Sequence, residues 1–191
     1  MESARKLLQE KYASVLSEDE ENKTDSEGEE LVIRPTDSIQ QGAHSGLITK
    51  QLVLEISGEG CLEQVTELIL RGGGYSQIDE ECEEGLCQLQ MLSLSNNCFD
   101  SFKAFSRMGN LVDLNINFNQ ITSLEHLNAP LLETLFISNN QLTSLGGLAR
   151  RFPRLHEVSC YGNRLADLQE TLGALRALPR LAAAALGGNP C

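Results

Sequence analysis

Apolar residues recur along residues 89–191 in one fixed spacing. Each copy is eleven residues long, with apolar residues at its positions 1, 4 and 6, an asparagine at position 9 and a last apolar residue at position 11. Five copies occupy 89–99, 111–121, 132–142, 155–165 and 181–191, with asparagines at Asn97, Asn119, Asn140, Asn163 and Asn189. A degenerate copy at 65–75 has Gly73 in place of the asparagine. A period sustained in this way predicts stacked structural repeats.

The spacing within one copy predicts a short strand followed by a bend. Leu92 and Leu94 are two residues apart and therefore point to one face, whereas Ser93 points to the other. Asn97 follows where the chain leaves the strand, and its amide can satisfy backbone groups that no sheet partner reaches. Because one repeat cannot bury its own leucines, neighbours must stack. We predict an α/β fold, a right-handed solenoid of about six repeats, with a parallel concave sheet, short convex helices and a buried asparagine ladder.

The pattern divides the chain into an extension at 1–46 and a repeat domain at 47–191. In the domain, Thr49 can cap a helix flanked by Ile48 and Val53 in the positions of a hydrophobic staple. We expect this helix, with Leu52 and Ile56 on one side, to cover the first repeat as an N-terminal cap. Further convex helices are predicted at 145–152 and 168–178.

The extension is predicted to be disordered and acidic, with an amphipathic helix at 3–16 as a candidate docking element. Residues 17–30 contain eight acids and one base and no large apolar residue, a composition that cannot form a core. Ser17 and Ser26 lie beside acidic residues and are candidates for acid-directed kinases. At the other end, Ala184 replaces a core leucine and no capping segment follows Cys191. From this we expect a fragment, or an end that frays or self-associates.

Composition and charge narrow the class of protein. The net charge of −12 disfavours nucleic-acid binding, and no apolar run reaches the ~20 residues of a membrane helix. No secretory signal is visible, so we expect a soluble, cytoplasmic protein without membrane insertion. Acids cluster at 79–84 and arginines between 150 and 180, either as a solvated convex surface or as a docking patch.

The sequence offers no catalytic, cofactor or metal site. Cys82 and Cys87 lack a second ligand pair for zinc, and the glycines at 72–74 are better explained by a turn than by a phosphate cradle. The six cysteines contain no C-x-x-C motif and are interpreted as free thiols in a reducing compartment. Cys98 and Cys160 are predicted to be buried. We therefore predict a non-enzymatic protein.

Function is predicted to lie on the concave sheet. Phe136 occupies an outward strand position, where an aromatic ring has no core to enter. Met91 and Tyr161 are expected beside it, with Phe118 as a further candidate, and the predicted polar rim consists of Asp113, Asn115, Asn117 and Glu157. Aromatic anchors within a polar rim are typical of protein interfaces. The alternative interpretation is a set of scattered surface apolar residues.

The repeats of 21 to 23 residues, the start near Ile48 and Thr49, and the segments 178–181 and 187–191 resemble intracellular leucine-rich repeat proteins. The class that these features resemble includes the nuclear regulatory subunit of protein phosphatase one, axonemal dynein light chain and several ciliary proteins. The resemblance implies a protein-binding module or adaptor, and alternatively a permanent structural or assembly component of a ciliary or cytoskeletal complex. It implies another protein as partner, of the phosphatase or cytoskeletal kind, and a location in cytoplasm, cilium, cytoskeleton or nucleus.

Overall fold

A computed structural model describes residues 46–191 of the chain. The predicted helix at 3–16, the acidic segment at 17–30 and the serines within it lie outside the described residues. The described elements are, in order, β1 (Leu47–Ile48), α1 (Lys50–Ser57), β2 (Glu67–Ile69), β3 (Gln77–Ile78), α2 (Glu80–Gly85), β4 (Met91–Ser93), β5 (Asp113–Asn115), β6 (Thr134–Phe136), α3 (Leu148–Arg151), β7 (Glu157–Ser159), α4 (Leu168–Arg176) and β8 (Ala183–Ala185). Single 3-10 turns lie at Leu62–Gln64 and Lys103–Phe105.

Six short parallel strands form the main sheet in the order β2-β4-β5-β6-β7-β8. Each strand pairs with its neighbour without a register shift, so that Leu92 lies beside Leu114 and Leu114 beside Leu135. The strand in each repeat is three residues long, which is what the predicted alternation of core and outward positions requires. The predicted α/β solenoid with one strand per repeat is therefore confirmed.

The core is a continuous stack of the repeated apolar residues. Leu92, Leu114, Leu135 and Val158 are all almost completely buried, as the spacing predicted. Three phenylalanines between β4 and β5 add aromatic packing, with the rings of Phe102 and Phe105 meeting edge to face at 5.5 Å between centroids. Burying a leucine side chain contributes about 1.5–3 kcal/mol, so repeat-to-repeat stacking is the main source of stability.

The asparagines form the predicted ladder. Asn119 is typical: its Oδ1 accepts a hydrogen bond from the N–H of Phe99 in the preceding repeat at 3.0 Å. Its Nδ2 donates to the carbonyl of Leu94 in the preceding repeat at 2.9 Å and to that of Ile116 in its own repeat at 3.2 Å. The same pattern recurs at Asn97, Asn140, Asn163 and Asn189. Each asparagine therefore joins two successive repeats.

The N-terminal cap follows the prediction in its start and departs from it in its packing. Helix α1 begins after Thr49, whose side chain accepts from the N–H of Leu52 at 3.4 Å, and Val53 is fully buried. Ile56, which was predicted to cover the first repeat, is 47% exposed. The sequence pattern also missed the small parallel pair β1–β3 and helix α2, which Asp79 caps by accepting from the N–H of Glu81 at 2.7 Å.

Three further predictions about local structure were wrong in detail. The helix predicted at 145–152 is reduced to α3 because Gly147 adopts a left-handed conformation, with φ of 79°, immediately before Leu148. The helix predicted at 168–178 ends at Arg176, where Ala177 caps it with φ of −73° and ψ of −12°, and Leu178 is the residue that Pro179 disfavours in a helix. Cys98 is exposed, whereas Cys160 is buried as predicted, because the chain has already turned out of the core at Asn97.

The last repeat is less covered than the others. All three residues of β8 are exposed, and Leu181 and Leu186 are only partly buried against the core. Alanine methyl groups bury little apolar area, so this repeat contributes less stability than its neighbours. The expectation of fraying or self-association at this end stays a prediction.

Candidate protein-binding surface

The outward residues of the six strands form rows across the concave sheet. Strand pairing places Glu67, Met91, Asp113, Thr134, Glu157 and Ala183 in the first row. The second row consists of Ile69, Ser93, Asn115, Phe136, Ser159 and Ala185. Backbone hydrogen bonds continue beyond the strands and extend this order to a third row, which contains Arg71, Ser95, Asn117, Ser138, Tyr161 and Gly187.

The centre of this surface is polar, buried and internally hydrogen-bonded. Asn115 and Asn117 are 3% and 8% exposed. The Oδ1 of Asn115 accepts from the N–H of Asn117 at 3.1 Å, and the Oδ1 of Asn117 accepts from the N–H of Ser138 at 2.7 Å. The hydroxyls of Ser138 and Ser159 are 2.8 Å apart. The bonds of Asn117 to Ser138 and of Ser138 to Ser159 join adjacent repeats, and that of Asn115 to Asn117 stays within one repeat. Together they fix the floor beside which the neighbouring side chains lie.

The predicted site residues thus lie on one face but differ in exposure. Met91 is 5% exposed and belongs with the buried floor, as do the two asparagines. Asp113 and Phe136 are half-buried, and Glu157 and Tyr161 are exposed. Of the predicted residues, Tyr161 and Glu157 are therefore the most accessible to a partner, and Phe136 and Asp113 are less accessible.

Tyr161 is the most exposed of these aromatic residues, at 52%. Its ring packs over the backbone of the next repeat, where a Cβ atom added to Gly187 or Gly188 would lie 3.1 or 3.2 Å from ring carbons. A Cβ at either position would require the ring to move by a few tenths of an ångström. The glycine pair therefore positions the tyrosine with its other face open to solvent.

Phe118 is the residue whose conformation the sequence analysis did not foresee. It has a φ of 54°, the left-handed region in which L-residues other than Asn and Asp are uncommon, and it is 41% exposed. Its N–H donates to the carbonyl of Ser138 at 2.9 Å, so the ladder of the next repeat fixes this backbone. A left-handed residue with a bulky side chain costs about 1–2 kcal/mol. The available signal was its position directly before Asn119, where other repeats carry Asn or Gly.

Charge is distributed unevenly across the face. The first row contains three acids, Glu67, Asp113 and Glu157, at one end of the strands. The third row contains one base, Arg71, whose Nε donates to the hydroxyl of Ser93 at 3.1 Å. Phe118 and Tyr161 lie at the end of the strands opposite to the acids. The surface therefore has an acidic side and an aromatic side.

A groove of about 360 Å³ lies at the β2 edge of the sheet, away from the aromatic side. It is lined by residues of α1, of β2 and of the segment between them, including Ile56, Ile69, Glu59 and Glu67. The two isoleucines are exposed and the charged members are acidic. The groove extends the acidic side of the concave surface toward the N-terminal cap.

Two of the thiols, Cys82 and Cys160, are buried and suited to packing and not to nucleophilic chemistry. Burial raises the pKa of Cys82 to about 11, with the carboxylates of Asp79 and Glu81 adding to the effect, and burial raises the pKa of Cys160 to about 12. All six cysteines lie within the described part of the chain and are unpaired. Residues 46–191 contain no cluster of three or more His, Cys, Asp or Glu that could hold a metal ion. Within the same residues, every helix is too short or too polar to cross a membrane.

Comparison with known proteins agrees with the fold. A family model described as "Leucine rich repeat" matches residues 63–121, and one described as "Leucine Rich repeats (2 copies)" matches residues 130–179. Together they cover more than half of the chain. An internalin from Listeria monocytogenes has a similar structure, with a TM-score of 0.60 and 20% sequence identity, covering 72% of this chain and 42% of that chain. This similarity concerns the fold alone.

Sequence relatives match shorter stretches. Leucine-rich repeat-containing protein 23 from Bos taurus is 40% identical over 72 residues, which is 38% of this chain and 20% of the relative. Lumican from Mus musculus is 32% identical over 83 residues, which is 41% of this chain and 25% of the relative. The chain thus spans no more than a quarter of the length of these curated relatives. What they share with it is the repeat.

Proposed function

Because the chain belongs to the leucine-rich repeat proteins, we propose that it is a non-enzymatic protein-binding module that holds its partner on the concave sheet. Leucine-rich repeat domains generally bind other proteins, and a rigid sheet with outward side chains in fixed rows is well suited to do so. The proposed site comprises the predicted residues Met91, Asp113, Asn115, Asn117, Phe136, Glu157 and Tyr161. The buried members form the floor and the exposed members make contact.

The observation that carries this proposal is the exposure of Tyr161 beside Phe136. Tyr161 is about half exposed at a position that faces away from the core, and Phe136 lies on the adjacent strand. Aromatic side chains of this kind dominate binding energy at protein interfaces because they bury a large area with few rotatable bonds. The hydrogen-bonded floor keeps them in place before binding, which lowers the entropic cost of association.

The charges of the surface indicate the chemistry of the partner. Glu67 and Glu157 are exposed on the acidic side, and the groove at the β2 edge continues this acidic character. A partner that places apolar side chains on the aromatic side and Lys or Arg on the acidic side would be complementary to both. We therefore propose a partner segment that combines apolar and basic residues.

The test is to recover partners by affinity purification with the full chain and then titrate each purified partner against variants. Phe136→Ala and Tyr161→Ala should each weaken binding by at least ~1 kcal/mol if they are anchors. Leu168→Ala is the matched control, because Leu168 is also about half exposed but lies on a convex helix. Unchanged affinity in both aromatic variants, for every partner recovered, would contradict the proposed site.

Two narrower proposals follow from the same function. We propose an intracellular adaptor that exchanges partners, and the alternative is a permanent component of a ciliary or cytoskeletal assembly. Cell fractionation with stepwise salt extraction distinguishes them, since a permanent component stays with the insoluble skeleton and an exchangeable adaptor is released at low salt. Recovery of the protein only from the medium would contradict both.

A further inference from the structure

The residue directly before the ladder asparagine has a left-handed backbone in every repeat. In the degenerate repeat the equivalent residue precedes Gly73. The six positions, all with φ between 54° and 71°, are Gly72, Asn96, Phe118, Asn139, Gly162 and Gly188. The fold therefore requires a left-handed backbone at this column of six equivalent positions. Five of the six residues are glycine or asparagine, which tolerate that conformation.

Phe118 has no such tolerance. Glycine has no Cβ, and asparagine has a short polar side chain that can hydrogen-bond locally, so both enter the left-handed region at low cost. A phenylalanine gains nothing comparable there. Strained residues that persist in a well-determined fold are often found at ligand clamps and binding sites.

The ring of Phe118 is only partly covered within the described part of the molecule, since the residue is 41% exposed. It lies on the same side of the concave surface as Tyr161, with β6 and its extension Ser138–Asn139 between them. Neighbouring strands are about 4.8 Å apart, so the two backbones are separated by about 10 Å. Tyr161 leans toward Gly187 and Gly188, away from Phe118. Ser138, which is 6% exposed, lies between these two aromatic residues in the order of the repeats.

We infer that Phe118 is a further anchor of the proposed surface, and that it clamps, together with Tyr161, one apolar side chain of a partner segment that also carries basic residues. The inference rests on the proposed function and assigns a role to Phe118, which the sequence pattern indicated only as a further candidate beside the seven predicted residues. The apolar side chain would contact the exposed parts of both rings, with the basic residues directed to Glu67 and Glu157. Charge complementarity selects this partner chemistry, since three acids and one base lie in the rows of this face.

The strain separates Phe118 from an ordinary surface aromatic residue in a stability measurement. Phe118→Ala removes the ring but keeps a Cβ in the left-handed region, whereas Phe118→Asn removes the ring and relieves the strain. We expect the thermal unfolding midpoint of Phe118→Asn to lie about 2–4 °C above that of Phe118→Ala. This is the shift expected when the free-energy cost of one left-handed residue is relieved. Asn139→Ala is the control at the equivalent position and should lower the midpoint relative to the unchanged chain. Equal midpoints for Phe118→Asn and Phe118→Ala would overturn the strain argument.

Binding is tested with a displayed library of random peptides selected against the full chain. We expect the recovered peptides to be enriched in apolar and basic residues, and we expect Phe118→Ala and Phe118→Asn each to weaken their affinity by about tenfold. Loss of affinity in Tyr161→Ala and Phe136→Ala, with none in either Phe118 variant, would overturn this inference and leave the proposed function standing. Affinity unchanged in all four variants would overturn the proposed function itself. Peptides enriched in acidic residues would overturn the assigned partner chemistry.

Discussion

Replacing one ladder asparagine tests how the repeats are joined. In Asn119→Ala, four hydrogen bonds disappear: one accepted from the N–H of Phe99, and three donated to the carbonyls of Leu94, Ile116 and Asn117. Asn119 is buried, so water does not readily take over these bonds. The magnitude of the loss depends on which of the four partners is left without another hydrogen bond.

The three carbonyls each keep a second donor. Leu94 still accepts from Asn97 Nδ2 at 2.9 Å, Ile116 from Asn140 Nδ2 at 2.9 Å, and Asn117 from the N–H of Asn96 at 2.9 Å. Among residues 46–191, the N–H of Phe99 has no acceptor other than Asn119 Oδ1. One buried donor is therefore left unsatisfied, which costs about 1–3 kcal/mol. This is a substantial share of a typical domain stability of about 5–15 kcal/mol.

The assay is urea denaturation of the variant and the unchanged chain, with hydrogen exchange of the Phe99 amide as a local readout. We expect the free energy of unfolding to fall by about 1–3 kcal/mol and the Phe99 amide to lose protection. Asn189→Ala is the control, because Asn189 makes the same bonds in the less covered last repeat, where water can replace them. A loss below about 0.5 kcal/mol in Asn119→Ala, or an equal loss in both variants, would refute the reasoning.

Other substitutions probe single features of the fold. Thr49→Ala should lower the free energy of unfolding by about 0.5–1 kcal/mol through loss of the cap on α1, and no change in urea denaturation would show that the cap contributes nothing. Gly173→Ala should raise it by about 0.5–1 kcal/mol, because Gly173 lies within α4 and an added Cβ meets no atom within 4 Å. The raised pKa values of Cys82 and Cys160 lower their thiolate fractions, so at pH 8 both should resist alkylation while the exposed thiols react. Equal labelling rates, followed by mass spectrometry, would contradict this.

The direction of side chains could be predicted from the sequence, because the alternation within each repeat fixes which residues face the core. Leu92 and Leu94 are buried and the asparagines form a ladder, as the spacing required. The exposure of the outward residues could not be predicted in the same way. Met91 points outward and is nevertheless only 5% exposed. The cover over an outward side chain depends on packing between repeats, which a spacing within one repeat does not determine.

Local backbone geometry limited the prediction elsewhere. The left-handed conformation of Gly147 prevents helix α3 from beginning before Leu148, and this conformation is visible only in the structure. The strain at Phe118 was also not predicted, although the sequence has Asn or Gly at the equivalent position of every other repeat. That column becomes meaningful once the structure shows that all six positions share one backbone conformation.

The ladder has a consequence for how such a chain can change during evolution. Each carbonyl at a strand end between two repeats, from Leu94 to Cys160, accepts hydrogens from two asparagines, one in its own repeat and one in the next. Every junction therefore presents the same donors and acceptors. A duplication or deletion of one whole repeat recreates a complete junction. An insertion of a single residue within a strand moves the asparagine away from its hydrogen-bond partners in its own repeat and in the preceding one. Gene rearrangements that respect the repeat length should thus be accepted far more readily than small insertions.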